Sequence, residues 1–374
     1  MYNASANLAL SFKQPSFYEC ENYTTSTNLT AQLSSLRFID LFCGIGGIRL
    51  GMEKAGFTCV FSCDINDECK KTYRANFDEM PYGDIAEITA AELPQYDVLC
   101  AGFPCQPFSA SGKLKGFEDA RGTVFFDICR IVQETTPKVI LLENVKNLIY
   151  HDKRRTLAII LEKLTELGYN HKWRLLNAID FGVPQNRERI IIVATRSVAF
   201  DFDKVRIANR TVLDDFLDED GDFDYLDANE FTVIDNPITQ KKSGLCFVGY
   251  RNKPIRKAGV RPGTEHLSRV HRQTNRIHST AGTIPTLTSQ ETSGRYFVMQ
   301  PNGRVRKLTL DECFRIMGFP EDFKRISVTT EQYRQMGNSV CIPMISAIAD
   351  SIKEQYFCEE VPAYDAYRSA AASI

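Results

Sequence analysis

The chain of 374 residues contains no uninterrupted apolar run near the roughly 18 to 20 residues that cross a bilayer, so no membrane span is expected. Its amino terminus has no basic stretch followed by an apolar core, and the chain is therefore read as cytoplasmic. The twelve cysteines include no C-x-x-C pair, and Cys43, Cys59, Cys63, Cys100 and Cys129 fall in or beside apolar segments. That pattern argues for reduced, mostly buried thiols and against both a disulfide framework and a zinc site, so no metal is expected. Net charge is also scarce, at −2, and taken alone it points to no charged partner.

What is present is an ordinary globular composition, 43% hydrophobic and 25% charged, with the charge unevenly placed. From Asp201 to Glu230 eleven acidic residues face only Lys204, Arg206 and Arg210. From Lys241 to Lys307 fourteen lysines and arginines face only Glu265 and Glu291. A segment this basic inside an acidic chain is the footprint of phosphate-backbone contact, and a nucleic acid is the expected partner.

Residues 1–34 are rich in Ser, Thr, Asn and Tyr without periodicity and are expected to form a flexible extension. From Arg37 strands and helices alternate: strands at Arg37–Phe42, Cys59–Cys63, Val98–Ala101, Val139–Leu142, Trp173–Asn177 and Ile190–Ala194, with helices between them. The alternation predicts an α/β fold with a largely parallel sheet covered on both faces. After about residue 205 the rhythm fails and a smaller, loop-rich domain is expected. Helical patterning returns at Leu308–Met317 and Ile342–Tyr356. The expected division is 35–205 for catalysis and cofactor, 206–329 for recognition and hinge, and 330–374 packing back on the first part.

The chemistry concentrates at the carboxyl ends of the expected strands, where open α/β sheets bind ligands. The run Tyr96–Ala101 ends in Gly102-Phe103-Pro104-Cys105-Gln106-Pro107, which sets a cysteine on a stiff loop as a candidate nucleophile. Glu143-Asn144-Val145 follows the next strand and offers a carboxylic acid at the same edge. Gln185-Asn186-Arg187-Glu188-Arg189 aims two guanidinium groups there, where they could bind a carbonyl oxygen and favour the Cys105 thiolate. The turn Phe42-Cys43-Gly44-Ile45-Gly46-Gly47 lets backbone approach a ligand. Arg49 stands where a dinucleotide fingerprint wants Gly or Ala, which disfavours nicotinamide. Asp64 could accept bonds from a ribose diol, and Asp84 could hold an adenine amino group; each is also a plausible cap or turn residue.

These segments, together with Gly337-Asn338-Ser339-Val340, resemble in order the signature blocks of the DNA cytosine carbon-5 methyltransferases of bacterial restriction-modification systems, from about residue 36 to 357. The resemblance implies a Rossmann-like S-adenosylmethionine-dependent methyltransferase sheet with a smaller inserted target-recognition domain. It implies S-adenosyl-L-methionine as methyl donor, surrounded by Phe42, Gly44, Gly46, Gly47, Asp64, Ile65, Asp84, Ile85 and Asn338. Many members place a glutamate and then a tryptophan where this chain has Asp64 and Ile65.

By the same resemblance Cys105 corresponds to the nucleophile, Glu143 to the residue gripping ring nitrogen 3, and Arg189 to the partner of the cytosine carbonyl, with Arg187 supporting that set. Arg276 and Thr286 fall where the family organises its recognition domain, and Gln273 resembles a side chain that fills the hole left by an extruded base. Arg251, Lys253, Arg256, Lys257, Arg269 and Arg272 are expected to divide between phosphate contacts and base reading. The expected partner is double-stranded DNA, bound by a monomer, with a cognate restriction endonuclease acting separately. The alternatives are an RNA cytosine-5 methyltransferase and a catalytically silent DNA-binding module.

Overall fold

The computed structural model describes residues 36–104, 124–255, 263–264, 266–289 and 296–358. Among these, six strands form the main sheet: β1 (Arg37–Leu41), β2 (Thr58–Cys63), β3 (Val98–Ala101), β4 (Val139–Val145), β5 (Asn170–Asn177) and β7 (Glu188–Thr195), in the order β2-β1-β3-β4-β7-β5. The short β6 (Gln185–Asn186) lies outside this sheet. Strands β2, β1, β3 and β4 are mutually parallel, whereas β7 runs antiparallel to both β4 and β5. The sheet is therefore parallel with one reversed strand, and that reversal matters for the site.

The central strands read as near-continuous apolar runs because both faces are covered. Phe38, Val98, Cys100, Val139, Leu141, Ile191 and Val193 point to one face. There they meet Ile48 and Met52 of helix α1 (Gly47–Lys54) and residues from a C-terminal helix. Their alternates Ile39, Leu99, Ala101, Ile140, Leu142, Ile190 and Ile192 point to the other face. Helix α2 (Asp67–Phe77) sets its Tyr73 and Phe77 rings against Arg49 of α1, and the second face is covered by α3 (Val124–Thr135), through Phe125, Ile128 and Val132, and α4 (Arg155–Glu166), through Leu157, Ile160 and Leu164. Each such Leu or Ile contributes about 1.5–3 kcal/mol when fully buried.

A second sheet orders β13 (Val305–Lys307), β12 (Phe297–Met299), β10 (Arg276–Ser279), β9 (Cys246–Arg251) and β8 (Phe231–Thr239). Its own core is small, built on Val248, Ile277, Phe297 and Val305. The edge strand β8 carries Pro237 and a register shift between Val233 and Ile238, both of which discourage pairing with another chain. The loop-rich expectation for this stretch gives way to a mixed sheet, whose strands are mostly too short to show periodicity.

The two sheets are joined by a small parallel ladder between β6 and β11 (Ile284–Pro285). Helices α5 (Leu310–Met317), α6 (Thr329–Asn338) and α7 (Ile342–Tyr356) close the chain. Met344, Ile345, Ile348 and Ile352 of α7 fill the core shared with α1, and a Cβ at Gly51 would lie 2.6 Å from Ile345. No helix among the described residues is long and apolar enough to cross a membrane.

Candidate active site and cofactor cradle

The reversed strand brings the acid and the arginines together. Because β7 is antiparallel to β4, its first residues lie at the carboxyl edge of the sheet, with Arg189 opposite Val145 and Ile191 opposite Glu143. Arg189 Nε donates to Glu143 Oε1 at 2.9 Å, both side chains being almost buried, and Arg189 Nη1 donates to the Glu188 carbonyl at 2.9 Å. A parallel β7 would have carried these guanidiniums to the far edge. Burial pushes the Glu143 carboxyl above its ordinary 4.5, against the lowering pull of Arg189 and Arg187. A carboxylic acid kept closer to neutrality is one that can donate a proton.

Cys105 lies outside the described residues, but the base of its loop does not. Asn144 Nδ2 donates to the Phe103 carbonyl at 2.8 Å and so ties that backbone to the strand carrying Glu143. A Cβ placed on Gly102 would sit 3.8 Å from Glu143 Oε2, which shows how closely the loop passes the acid. The residue type of Asn144 announces no such task; only the contact reveals it.

Arg187 is almost fully buried and its terminal nitrogens are spent within the protein. Nη1 donates to the Leu287 carbonyl at 3.0 Å, while Nη2 donates to the Gly337 carbonyl at 2.9 Å and to the Ser339 carbonyl. It thus ties the main sheet to the loop after β11 and to the end of α6. Burial pulls its guanidinium down to about 9, still charged at neutrality, and the three carbonyls hold that charge in place. Gln185, wholly buried, accepts from Leu287 N at 3.0 Å, and Thr286 Oγ1 donates to the Asn186 carbonyl at 2.8 Å. Thr286 therefore belongs to this seam. Gly337 is required there: a Cβ would come within 2.4 Å of the Thr288–Ser289 backbone.

The glycine turn is strained and open at once. Phe42 adopts φ 61° and Gly44 φ 56°, both left-handed, and a Cβ on Gly44 would meet nothing within 4 Å. Gly47 instead admits Ser339, whose Oγ would be 2.4 Å from an added Cβ; Gly46 takes φ 89° as the cap of α1. Asp64 accepts from Gly44 N and Asn66 N, each at 2.8 Å, so its carboxylate shapes the turn with further lone pairs to spare. Ile65 is 72% exposed, an apolar face left open beside it. Asp84 caps a short helical turn by accepting from Ala86 N at 3.0 Å, and Ile85 is buried in the core. Asn338 is exposed at the end of α6.

In the second sheet Gln273 accepts from Arg276 Nη1 at 3.2 Å, and Arg276 Nε donates to the His271 carbonyl at 3.2 Å. Arg251 lies over the Phe297 ring at 4.7 Å and is mostly covered, whereas Lys253, Arg269 and Arg272 are exposed. Arg256 and Lys257 lie outside the described residues.

The family profile of the C-5 cytosine-specific DNA methylases matches residues 36–354. The chain belongs to that family. The methylase is 41% identical over 332 residues to the Type II methyltransferase M.HhaI of Haemophilus parahaemolyticus, covering 86% of this chain and 95% of that one. It is 42% identical over 311 residues to the Type II methyltransferase M.NgoBI of Neisseria gonorrhoeae, covering 83% and 90%. A solved methyltransferase of Entamoeba histolytica shares the fold with a TM-score of 0.62 at 19% identity, over 86% of this chain and 98% of that one. The methyl donor is S-adenosylmethionine. The open left-handed turn, the Asp64 carboxylate and the exposed Ile65 face fit such a group.

Proposed function

We propose that this methylase modifies carbon 5 of a cytosine swung out of double-stranded DNA, through a transient bond between Cys105 and ring carbon 6, as the protective partner of a restriction endonuclease. The observation that carries the reading is the almost buried Glu143–Arg189 pair at the carboxyl edge, with the Phe103 backbone, two residues before Cys105, tied to the same strand. Carbon 5 of cytosine is too weak a nucleophile to be alkylated directly. The thiolate adds to carbon 6 while Glu143 gives its proton to nitrogen 3, and the electron pair moves to carbon 5. We assign the Nη2 donors of Arg189 to the cytosine carbonyl oxygen. Arg187 positions this set through its carbonyl contacts.

The turn at Phe42–Gly47 with Asp64, Ile65, Asp84 and Asn338 would hold the donor, whose sulfonium would give its methyl carbon to carbon 5 and leave as a neutral thioether. Loss of the carbon-5 proton and departure of the thiolate then restore the ring. A stacked duplex blocks all of this, so the base is extruded at a cost of a few kcal/mol. The second sheet, between about 206 and 329, grips the duplex with Lys253, Arg269 and Arg272 among its phosphate contacts, and Gln273 fills the gap. The protein acts as a cytoplasmic monomer.

The test is transfer of labelled methyl groups from S-adenosylmethionine to unmethylated duplex DNA and, in parallel, to transfer RNA. Label in DNA, lost in Cys105→Ala, is expected, with the wild type trapped on 5-fluorocytosine DNA. Labelling of RNA alone, or activity that survives in Cys105→Ala, overturns the reading.

A further inference from the structure

We propose that the basic turn Lys153-Arg154 is a second phosphate-binding jaw on the catalytic domain, gripping the duplex on the far side of the site from the recognition sheet. The inference rests on the DNA reading above and extends it to a surface outside the recognition region. Strand β4 leaves the carboxyl edge just after Glu143, and Lys146–Ile149 and His151–Arg154 form two short helical turns before α4 begins. The turn therefore stands at the same edge as the Glu143–Arg189 pair. Asp152, Lys153 and Arg154 take φ 45°, 56° and 71°, three consecutive left-handed residues without a glycine among them. Such a conformation persists only where its surroundings hold it.

Here the anchors are local. His151 Nδ1 and Thr156 Oγ1 share a 2.7 Å hydrogen bond beneath the turn, and Arg155 pairs with Asp152 at 2.5 Å. Held this way, Lys153 and Arg154 are exposed, and among the described residues no carboxylate pairs with either. Arg154 lies 5.9 Å from the ring of Tyr150, itself 55% exposed, so the guanidinium is braced and still faces solvent. Lys146, one turn nearer the acid, is paired with Glu188 at 2.7 Å and remains half-exposed.

Position distinguishes this patch from an ordinary solvated face. Helix α4 covers the sheet face carrying Leu99 and Ile140, whereas α1 and α7 cover the opposite face. Helices α5 and α6 cluster with Ile45, beside α1, and reach the recognition sheet through Gly337 and the Thr288–Ser289 backbone. The recognition sheet and the Lys153-Arg154 turn thus flank the acid from the two faces of one sheet. A duplex presenting a base to Glu143 meets cations on both sides, and phosphate is the group that complements two unpaired cations.

The experiment compares binding of a mixed-sequence unmethylated 40-base-pair duplex by the full-length wild type, K153E/R154E and K153Q/R154G, across a series of NaCl concentrations. Removing two phosphate contacts should make the slope of log K against log salt shallower by about 1 to 2, since each contact releases about 0.9 of a counterion. Affinity should fall roughly tenfold or more at low salt in both variants. Glycine is at home at φ 71°, so K153Q/R154G should unfold no earlier than wild type on heating, separating lost contact from lost fold. Unchanged slopes, with a wild type that methylates DNA, overturn the jaw and leave the function standing. A wild type that methylates no DNA overturns the function itself.

Discussion

Glu143 and Arg189 meet through one 2.9 Å contact at the carboxyl edge of the main sheet, whereas at the root of the second sheet both carboxylate oxygens of Glu312 are engaged, by Arg306 and by backbone amides. Arg306 Nη1 and Nη2 reach the two Glu312 oxygens at 2.9 and 2.7 Å in a bidentate fork, and both side chains are fully buried. Glu312 also accepts from Thr309 N at 2.7 Å and Asp218 N at 3.0 Å, and the Phe223 ring lies 3.9 Å from the guanidinium. The same two residue types therefore do different things. A pair whose lone pairs are all spent holds helix α5, strand β13 and the acidic segment around Asp218 together. A pair with one carboxylate oxygen left facing Gly102 remains available for chemistry.

Removing one group from each pair should separate these roles. Glu143→Gln is expected to lower methyl transfer by about 10²- to 10⁴-fold, the usual worth of a positioned acid, while urea unfolding stays close to wild type. A variant that keeps its rate would detach Glu143 from the reaction. Arg306→Met should cost about 3–5 kcal/mol of stability, because it strands a buried carboxylate. Adding Glu312→Gln should return part of that loss, the amide oxygen still accepting from the backbone. Arg189→Met should cost less than Arg306→Met, since Glu143 is already pushed toward its neutral form and can take up a proton. Equal losses in urea would erase the distinction between the pairs.

Gly337→Ala sharpens the comparison from the seam between the two regions, where the added methyl collides with the Thr288–Ser289 backbone. We expect about 1–3 kcal/mol of destabilisation, read from a thermal or urea transition, and a wild-type transition would mean that the seam yields. The smallest effect concerns pH. Glu143 has a folded value above its ordinary 4.5, so the folded state holds that proton more tightly than the unfolded chain does. Its contribution is most favourable at low pH and is lost as pH rises from 4.5 through the raised folded value. The stability of wild type relative to Glu143→Gln should therefore decline as pH climbs through that window. A flat or rising difference would contradict the direction of the shift.

Much of the main sheet was legible because its strands are apolar runs between turn residues. Val98–Ala101 and Ile342–Tyr356 have the bounds their patterning predicts. Helix α6 was not legible: it buries Tyr333, Gln335, Met336 and Gly337. A buried face containing glutamine and glycine carries little apolar periodicity. The second sheet escaped for a related reason, since β10, β12 and β13 are only three or four residues long. The block residues at the site were visible as types, yet the tasks of Asn144, Gln185 and Arg187 were not. Each is a polar side chain whose partners are backbone carbonyls or amides distant in the chain, and residue type does not announce such a partner.

Local chemistry along the chain was enough to establish an α/β core, the edge of the sheet at which ligands gather, an acid and a glycine turn at that edge, and two arginines as candidate partners. Only the tertiary structure decided that β7 runs against its neighbours, and hence that Arg189 meets Glu143 instead of lying at the opposite edge. Strand direction is a property of non-local backbone pairing. A run of isoleucine and valine is equally apolar read in either sense, so the order of residues along β7 could not reveal which way it would lie.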